Sequence, residues 1–141
     1  MNIILADKSG FCFGVERAVT EAVNARKKFK KDIYTLGPLI HNSDVVNNLK
    51  EKGIYPIELD KIYNLEENDV VVIRSHGVAK YILDFLENRK INVVNATCPY
   101  VSNIQKKVEK YYKLGYSILI VGDINHPEVL GINGWCENTG I

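Results

Sequence analysis

The feature that most constrains the fold is a series of short apolar runs spaced along the whole chain. They are "IIL" (3–5), "IYTL" (33–36), "IYPI" (54–57), "VVVI" (70–73), "INVV" (91–94) and "SILIV" (117–121). They do not alternate with polar residues and are rich in valine and isoleucine, the pattern of parallel strands covered on both faces. Helical patterns lie between most of them. Val15, Ala18, Val19, Ala22 and Val23 form one stripe, and Val45, Val46 and Leu49 a second. Tyr81, Ile82, Phe85 and Leu86 form a third, and Val101, Ile104, Val108 and Tyr111 a fourth. The stretch "ELDKIYNLEEND" (58–69) reads as either a short helix or a loop. Repeated strand–helix units predict an α/β fold with mainly parallel sheets and right-handed crossovers.

With 141 residues and 46% hydrophobic content, the chain can bury a core of about one domain. Eighteen basic and seventeen acidic residues leave a net charge of +1, so no global field recruits nucleic acid or an acidic membrane. Any anion site must be local. The densest basic run, "KKFKK" (27–31), falls at the end of the first helical stripe, where lysines suit the helix dipole. The apolar run before Asp7 is too short for a signal-peptide core, and no segment has the length of a membrane span. A cytoplasmic location is therefore expected, with Cys12, Cys98 and Cys136 reduced. An odd cysteine count in that setting suggests ligation, catalysis or burial more than disulfides. No Walker or dinucleotide glycine fingerprint is present, so ATP and NAD lack their usual signals. The stretch after 121 leaves two readings open: a tail that folds back, or a chain that is part of a longer protein.

In open α/β sheets ligands bind beyond the carboxyl ends of the strands. Cys12 follows the first apolar run, His41 the second, His76 the fourth, Cys98 the fifth, and His126 and Glu128 the sixth. Pro99 suits a first helical position and so puts Cys98 at or beside an N-cap, where free backbone N–H groups favour a thiolate. A cysteine that merely packs is an equal reading of the same position. Cys12 sits similarly, between Gly10 and Gly14, which permit tight backbone and the approach of a bulky group, or simply make a turn. The two could meet around a cluster, with a third ligand elsewhere. Each histidine alone has a plain reading; "HPE" fits His126 as a cap, Pro127 as the first helical residue and Glu128 in the first turn. Three imidazoles converging on helix N-termini would make a seat for a phosphate or diphosphate, and Glu128 could hold or relay a proton.

The segments "GFCFGVERAV" (10–19), "GPLIHNSDVV" (37–46), "RSHGV" (74–78), "NATCPYV" (95–101) and "HPEVLGINGW" (126–135), taken in order, resemble the N-terminal part of the 4-hydroxy-3-methylbut-2-enyl diphosphate reductase family. The resemblance implies an oxygen-sensitive [4Fe–4S] enzyme of isoprenoid biosynthesis, with three α/β lobes around a central cluster. It divides the chain into an N-terminal strand and first ligand loop (1–13), a first lobe (14–97) and the beginning of a second (98–141). Cys12 and Cys98 match two of three cluster thiolates; the third would lie well beyond residue 141, and Cys136 does not match it. His41, His76 and His126 match the residues that hold the substrate diphosphate, and Glu128 the proton donor. The implied reaction is a reductive dehydroxylation giving isopentenyl and dimethylallyl diphosphate, with electrons from a ferredoxin- or flavodoxin-like donor. Two other classes compete: a non-catalytic α/β module that binds diphosphates through its histidines, and a Cys–His hydrolase with Cys98 as nucleophile. The latter needs a base and an orienting partner, and the sequence shows no such pairing.

Overall fold

The computed structural model describes residues 1, 3–5, 7 and 10–141. Four strands form one parallel sheet: β1 (Ile33–Leu36), β2 (Ile54–Ile57), β3 (Val70–Ile73) and β4 (Asn92–Asn95), in the order β2-β1-β3-β4. Ile33 pairs with Ile54, Tyr34 with Val71 and Val71 with Val93, which fixes the register across the sheet. Five α-helices accompany it: α1 (Phe13–Phe29), α2 (Ser43–Glu51), α3 (Lys80–Asn88), α4 (Pro99–Lys113) and α5 (Pro127–Asn133). The ambiguous 58–69 stretch contains a 3-10 helix, Leu59–Asn64, and a second one, Gly134–Cys136, follows α5. Among the described residues, no helix is long and apolar enough to cross a membrane.

The central strand shows why the apolar runs do not alternate. All four residues of β3 are buried, but they serve two cores. Val70 and Val72 pack with Ala18, Ala22 and Ala25 of α1, whereas Val71 and Ile73 pack with Ile82 and Leu86 of α3. Successive side chains point to opposite faces, so a strand with a helix layer on each side must be apolar throughout. The small residues of α1 give that helix a close seat on the sheet. α1 ends as the basic run suggests: Lys30 is the C-cap, in the left-handed conformation, with its N–H donated to Arg26 O.

Three expectations change. The run 3–5 is not a strand; Ile3, Ile4 and Leu5 are exposed, and neither sheet edge pairs with them among the described residues. Residues 2, 6, 8 and 9 of the 1–13 segment lie outside the described residues. The run 117–121 also lacks strand structure, with Leu119 and Val121 exposed. Among the described residues its ladder contacts are Ile120 N–H to Ile141 O (2.8 Å) and Ile141 N–H to Ile118 O (2.9 Å), the pattern of a single parallel pair. A strand exists only where a neighbour takes up its backbone groups, and apolarity alone does not supply one. Finally, α4 is rotated relative to its apolar stripe: Ile104 and Tyr111 are exposed, while Gln105 is 3% exposed.

The chain moves from β1 outward to β2, then returns to place β3 on the other side of β1. At this reversal the connections leaving β1 and β3 run in opposite directions and leave a crevice at the carboxyl edge.

Candidate functional site

Helices α2 and α4 follow directly from β1 and β4, so their N-termini lie at the carboxyl edge of the sheet. The start of α1 is there too, because Gly14 packs against Cys98 and Ser75. A Cβ built on Gly14 would lie 3.2 Å from Cys98 Cβ and 3.3 Å from its Sγ, so α1 approaches this closely only with glycine at that position. Cys12 is the N-cap of α1 and Cys98 the N-cap of α4; neither side chain makes a capping hydrogen bond. Pro99 occupies the first turn of α4, as expected. Cys98 N–H donates to Ser75 O at 2.9 Å, which ties the thiol to the turn after β3. Arg17 adds a brace, donating from Nη1 to Thr97 O at 2.8 Å and from Nη2 to Asn95 O at 3.3 Å. Two cysteines far apart in sequence thus share one corner, Cys12 exposed and Cys98 half-buried. Cys12 gets there as a helix cap and not from the end of a strand.

The imidazoles gather beside that corner. His76 lies in a tight turn closed by Gly77 N–H donating to Arg74 O at 3.0 Å. It is half-buried, and its Nδ1 is buried with no hydrogen-bond partner among the described residues. The His126 ring packs edge-on against it, with centroids 5.6 Å apart and planes at 77°. His126 is the N-cap of α5, and its Nδ1 accepts the backbone N–H of Glu128 at 3.2 Å. In the neutral ring the proton is then on Nε2, which leaves that nitrogen as a donor to the site. His41 is exposed at the end of the β1 connection, next to Asn42, whose Oδ1 caps α2 by accepting Val45 N–H at 3.1 Å. Burial pushes the His76 pKa below 6.5; the charges of Arg74, His126 and His41 act the same way, and Glu128 opposes them. His76, His126 and Glu128 therefore come together, and His41 is within electrostatic reach. The thiol corner and the imidazole group meet at the consecutive residues Ser75 and His76.

Among the described residues, no group of three or more His, Cys, Asp or Glu side chains is arranged to hold a metal ion. The thiol pair has the donor chemistry of an iron–sulfur site and supplies only part of a ligand set. Cys136 is fully buried, and its thiol donates to Asn133 O at 3.2 Å, the position of a packed cysteine. Neither Cys12 nor Cys98 is hydrogen-bonded to an imidazole among the described residues, so the nucleophile–base pairing of a Cys–His hydrolase is not formed there.

Sequence reading missed three residues that organise this edge. Arg17 reaches across to the segment before Cys98, a contact that no local pattern encodes. Gln105 turns into the core, where its Nε2 lies 3.5 Å from Val78 O, beside Gly77. Its only sequence signal is a polar residue next to an apolar stripe. Arg74, the first residue after β3, has its guanidinium against Gly37. It also borders a cavity of about 380 Å³ lined by Leu36, Gly37, Val78, Ile82 and Leu130, which none of the site cysteines or histidines lines.

These features define a parallel α/β protein at whose carboxyl edge two helix-capping thiols adjoin a histidine–glutamate group. The chain belongs to the LytB protein family, whose model matches residues 3–141. It is 59% identical over 142 residues to the 4-hydroxy-3-methylbut-2-enyl diphosphate reductase of Clostridium tetani, covering all of this chain and 22% of that protein. It is 59% identical over 140 residues to the protein of the same name from Clostridium perfringens strain 13, covering 99% of this chain and 50% of the relative. A solved structure of (E)-4-hydroxy-3-methyl-but-2-enyl diphosphate reductase, described as the terminal enzyme of the non-mevalonate pathway, superimposes with a TM-score of 0.82 at 41% identity. It covers 98% of this chain and 49% of the solved one. The reductase from Plasmodium falciparum gives a TM-score of 0.87 at 28% identity, covering 96% and 42%. The chain thus spans half or less of the length of these relatives.

Proposed function

We propose that this chain is the N-terminal portion of a 4-hydroxy-3-methylbut-2-enyl diphosphate reductase, which converts its substrate to isopentenyl and dimethylallyl diphosphate by reductive dehydroxylation. The observation that carries this reading is the buried, unpartnered Nδ1 of His76 within a group that includes His126 and Glu128, directly beside the Cys98 corner. A buried polar atom without a partner is costly, and a ligand or water that hydrogen-bonds to it removes the cost. His41, His76 and His126 hold the diphosphate, with the Nε2–H of His126 free to donate to it. Glu128, with its backbone fixed by His126, holds the proton delivered to the substrate. Cys12 and Cys98 are two of the three thiolate ligands of a [4Fe–4S] cluster, and the third comes from sequence beyond residue 141. When bound, the cluster supplies electrons and a Lewis-acidic iron. Those electrons come from a ferredoxin- or flavodoxin-like donor in the cytoplasm. The segment 98–141 begins the second of three lobes, after a first lobe spanning 14–97.

Anaerobic reconstitution of the full-length protein with iron and sulfide tests the assignment. The expected product has the broad visible absorption of an iron–sulfur cluster and reduces the substrate, and both properties are lost in Cys12→Ala and Cys98→Ala. A protein that binds pyrophosphate but never takes up iron would instead be a diphosphate-binding module. A hydrolytic activity abolished by thiol alkylation and indifferent to iron would make Cys98 a nucleophile.

A further inference from the structure

Arg74 leaves β3 at the switch point, two residues before His76. A Cβ built on Gly37 would lie 2.7 Å from its Nη1 and 3.1 Å from its Cζ, so the guanidinium rests on the glycine backbone at the exit of β1. That exit is itself held firmly. Gly37 has φ +73°, donates its N–H to Ile57 O at 2.8 Å, and accepts the Thr35 hydroxyl at 2.9 Å. Thr35 is buried, so the turn has little room to shift. Arg74 makes no hydrogen bond or ion pair among the described residues; it is partly buried against Gly37, and the Glu58 carboxylate is the charged group that acts on it. A planar, weakly hydrated guanidinium can pack closely against a peptide where a compact, strongly hydrated ammonium does not.

We propose that Arg74 is a positioning residue of the anion seat, setting the β1 exit that carries His41 against the β3 exit that carries His76. Both exits are short and closed at their far ends. The first runs from Gly37 to the Asn42 cap of α2, with His41 as its penultimate residue. The second is the turn closed by Gly77, with φ +70°, whose Cβ position is occupied by Gln105 Nε2 at 2.5 Å and the Thr97 methyl at 3.0 Å. One contact between Arg74 and Gly37 therefore fixes the spacing of the two imidazoles. The charged groups facing His76 are Arg74, Glu128, His126 and His41, and Arg74 is the one of them that is always protonated. This role rests on the diphosphate reading of the histidines.

The test uses Arg74→Met and Arg74→Lys in the full-length protein, with inorganic pyrophosphate as the probe and histidine-ring NMR as an independent readout. In both variants pyrophosphate binding should weaken by roughly tenfold to a hundredfold, the scale of a misplacement of about 1 Å. The ring signals of His41 and His76 should both move. In a His41→Ala/His76→Ala background, Arg74→Met should cost nothing further. Full affinity in Arg74→Lys would overturn the proposal, because charge alone would then suffice. An equal loss in the background lacking both histidines would also overturn it, by making Arg74 a direct anion contact. If the unmodified protein binds no pyrophosphate, the diphosphate reading fails separately. The ring signals then decide: movement of both in Arg74→Met supports positioning, and movement of neither refutes it.

Discussion

His76 is the residue where the site's physical demands conflict most. Its Nδ1 is buried without a partner, and burial, reinforced by Arg74, His126 and His41, lowers its affinity for a proton despite Glu128. The consequence for stability has a definite sign. Below about pH 6.5 the unfolded chain takes up a proton that the folded His76 resists. Folding therefore weakens as the pH falls through that value, until the lowered folded-state value is reached. A His76→Asn variant should lose less stability than the unmodified protein between about pH 7.5 and about pH 5, measured by urea unfolding at each pH. An identical loss would mean that His76 titrates normally in the fold. A bound diphosphate should reverse the bias by stabilising the charged ring, with uptake of a proton on binding. The sequence named Cys12, Cys98, His41, His76, His126 and Glu128 as candidates at this edge. It did not reveal Arg17, Arg74 or Gln105, whose effects depend on contacts across the sheet.

At the scale of elements, the corner is made by close approaches. α1 rests on Cys98 through Gly14, and the turn after α5 rests on the start of α3 through Gly134. A methyl group on Gly134 would collide with the Cβ and Cα of Ala79, which are not the far end of a flexible side chain. Gly134→Ala should therefore destabilise the fold by about 1–3 kcal/mol, seen as a lower urea midpoint with an unchanged slope. Trp135 anchors the same region, donating from Nε1 to Val78 O at 3.0 Å. Gln105 points an amide nitrogen at that carbonyl, which explains why α4 turns a polar residue inward. The stripe Val101, Ile104, Val108 and Tyr111 is a sound helix signal. It misplaces the buried face because what α4 meets here is the loop backbone of Gly77 and Val78, which needs a donor as well as apolar cover.

Across the whole molecule, stability rests on the two cores that sandwich the sheet. Leu86 is fully buried against β3, while Ile104 is 42% exposed despite its place in an apolar stripe. Leu86→Ala should cost about 2–5 kcal/mol, and Ile104→Ala much less; thermal unfolding of the pair would separate burial from hydrophobicity. Comparable losses would place Ile104 in a packed interface that the 141-residue chain does not contain.

The sequence alone determined the alternation of elements, because valine-rich runs without polar gaps demand cover on both faces, and helical stripes between them supply it. It also placed the capping positions of Cys98 and His126, since proline at the first helical turn is a local backbone rule. Tertiary structure decided which apolar runs become strands. Runs 33–36, 54–57, 70–73 and 91–94 found neighbours, the last shifted by one residue to Asn92–Asn95. Runs 3–5 and 117–121 did not form strands, because a strand's backbone hydrogen bonds belong to its partner and not to its own sequence. Only the tertiary structure brought the start of α1, which Cys12 caps, against Cys98 and His126 beside His76. Those approaches depend on the strand order β2-β1-β3-β4 and, for α1 against Cys98, on Gly14, and neither follows from spacing along the chain.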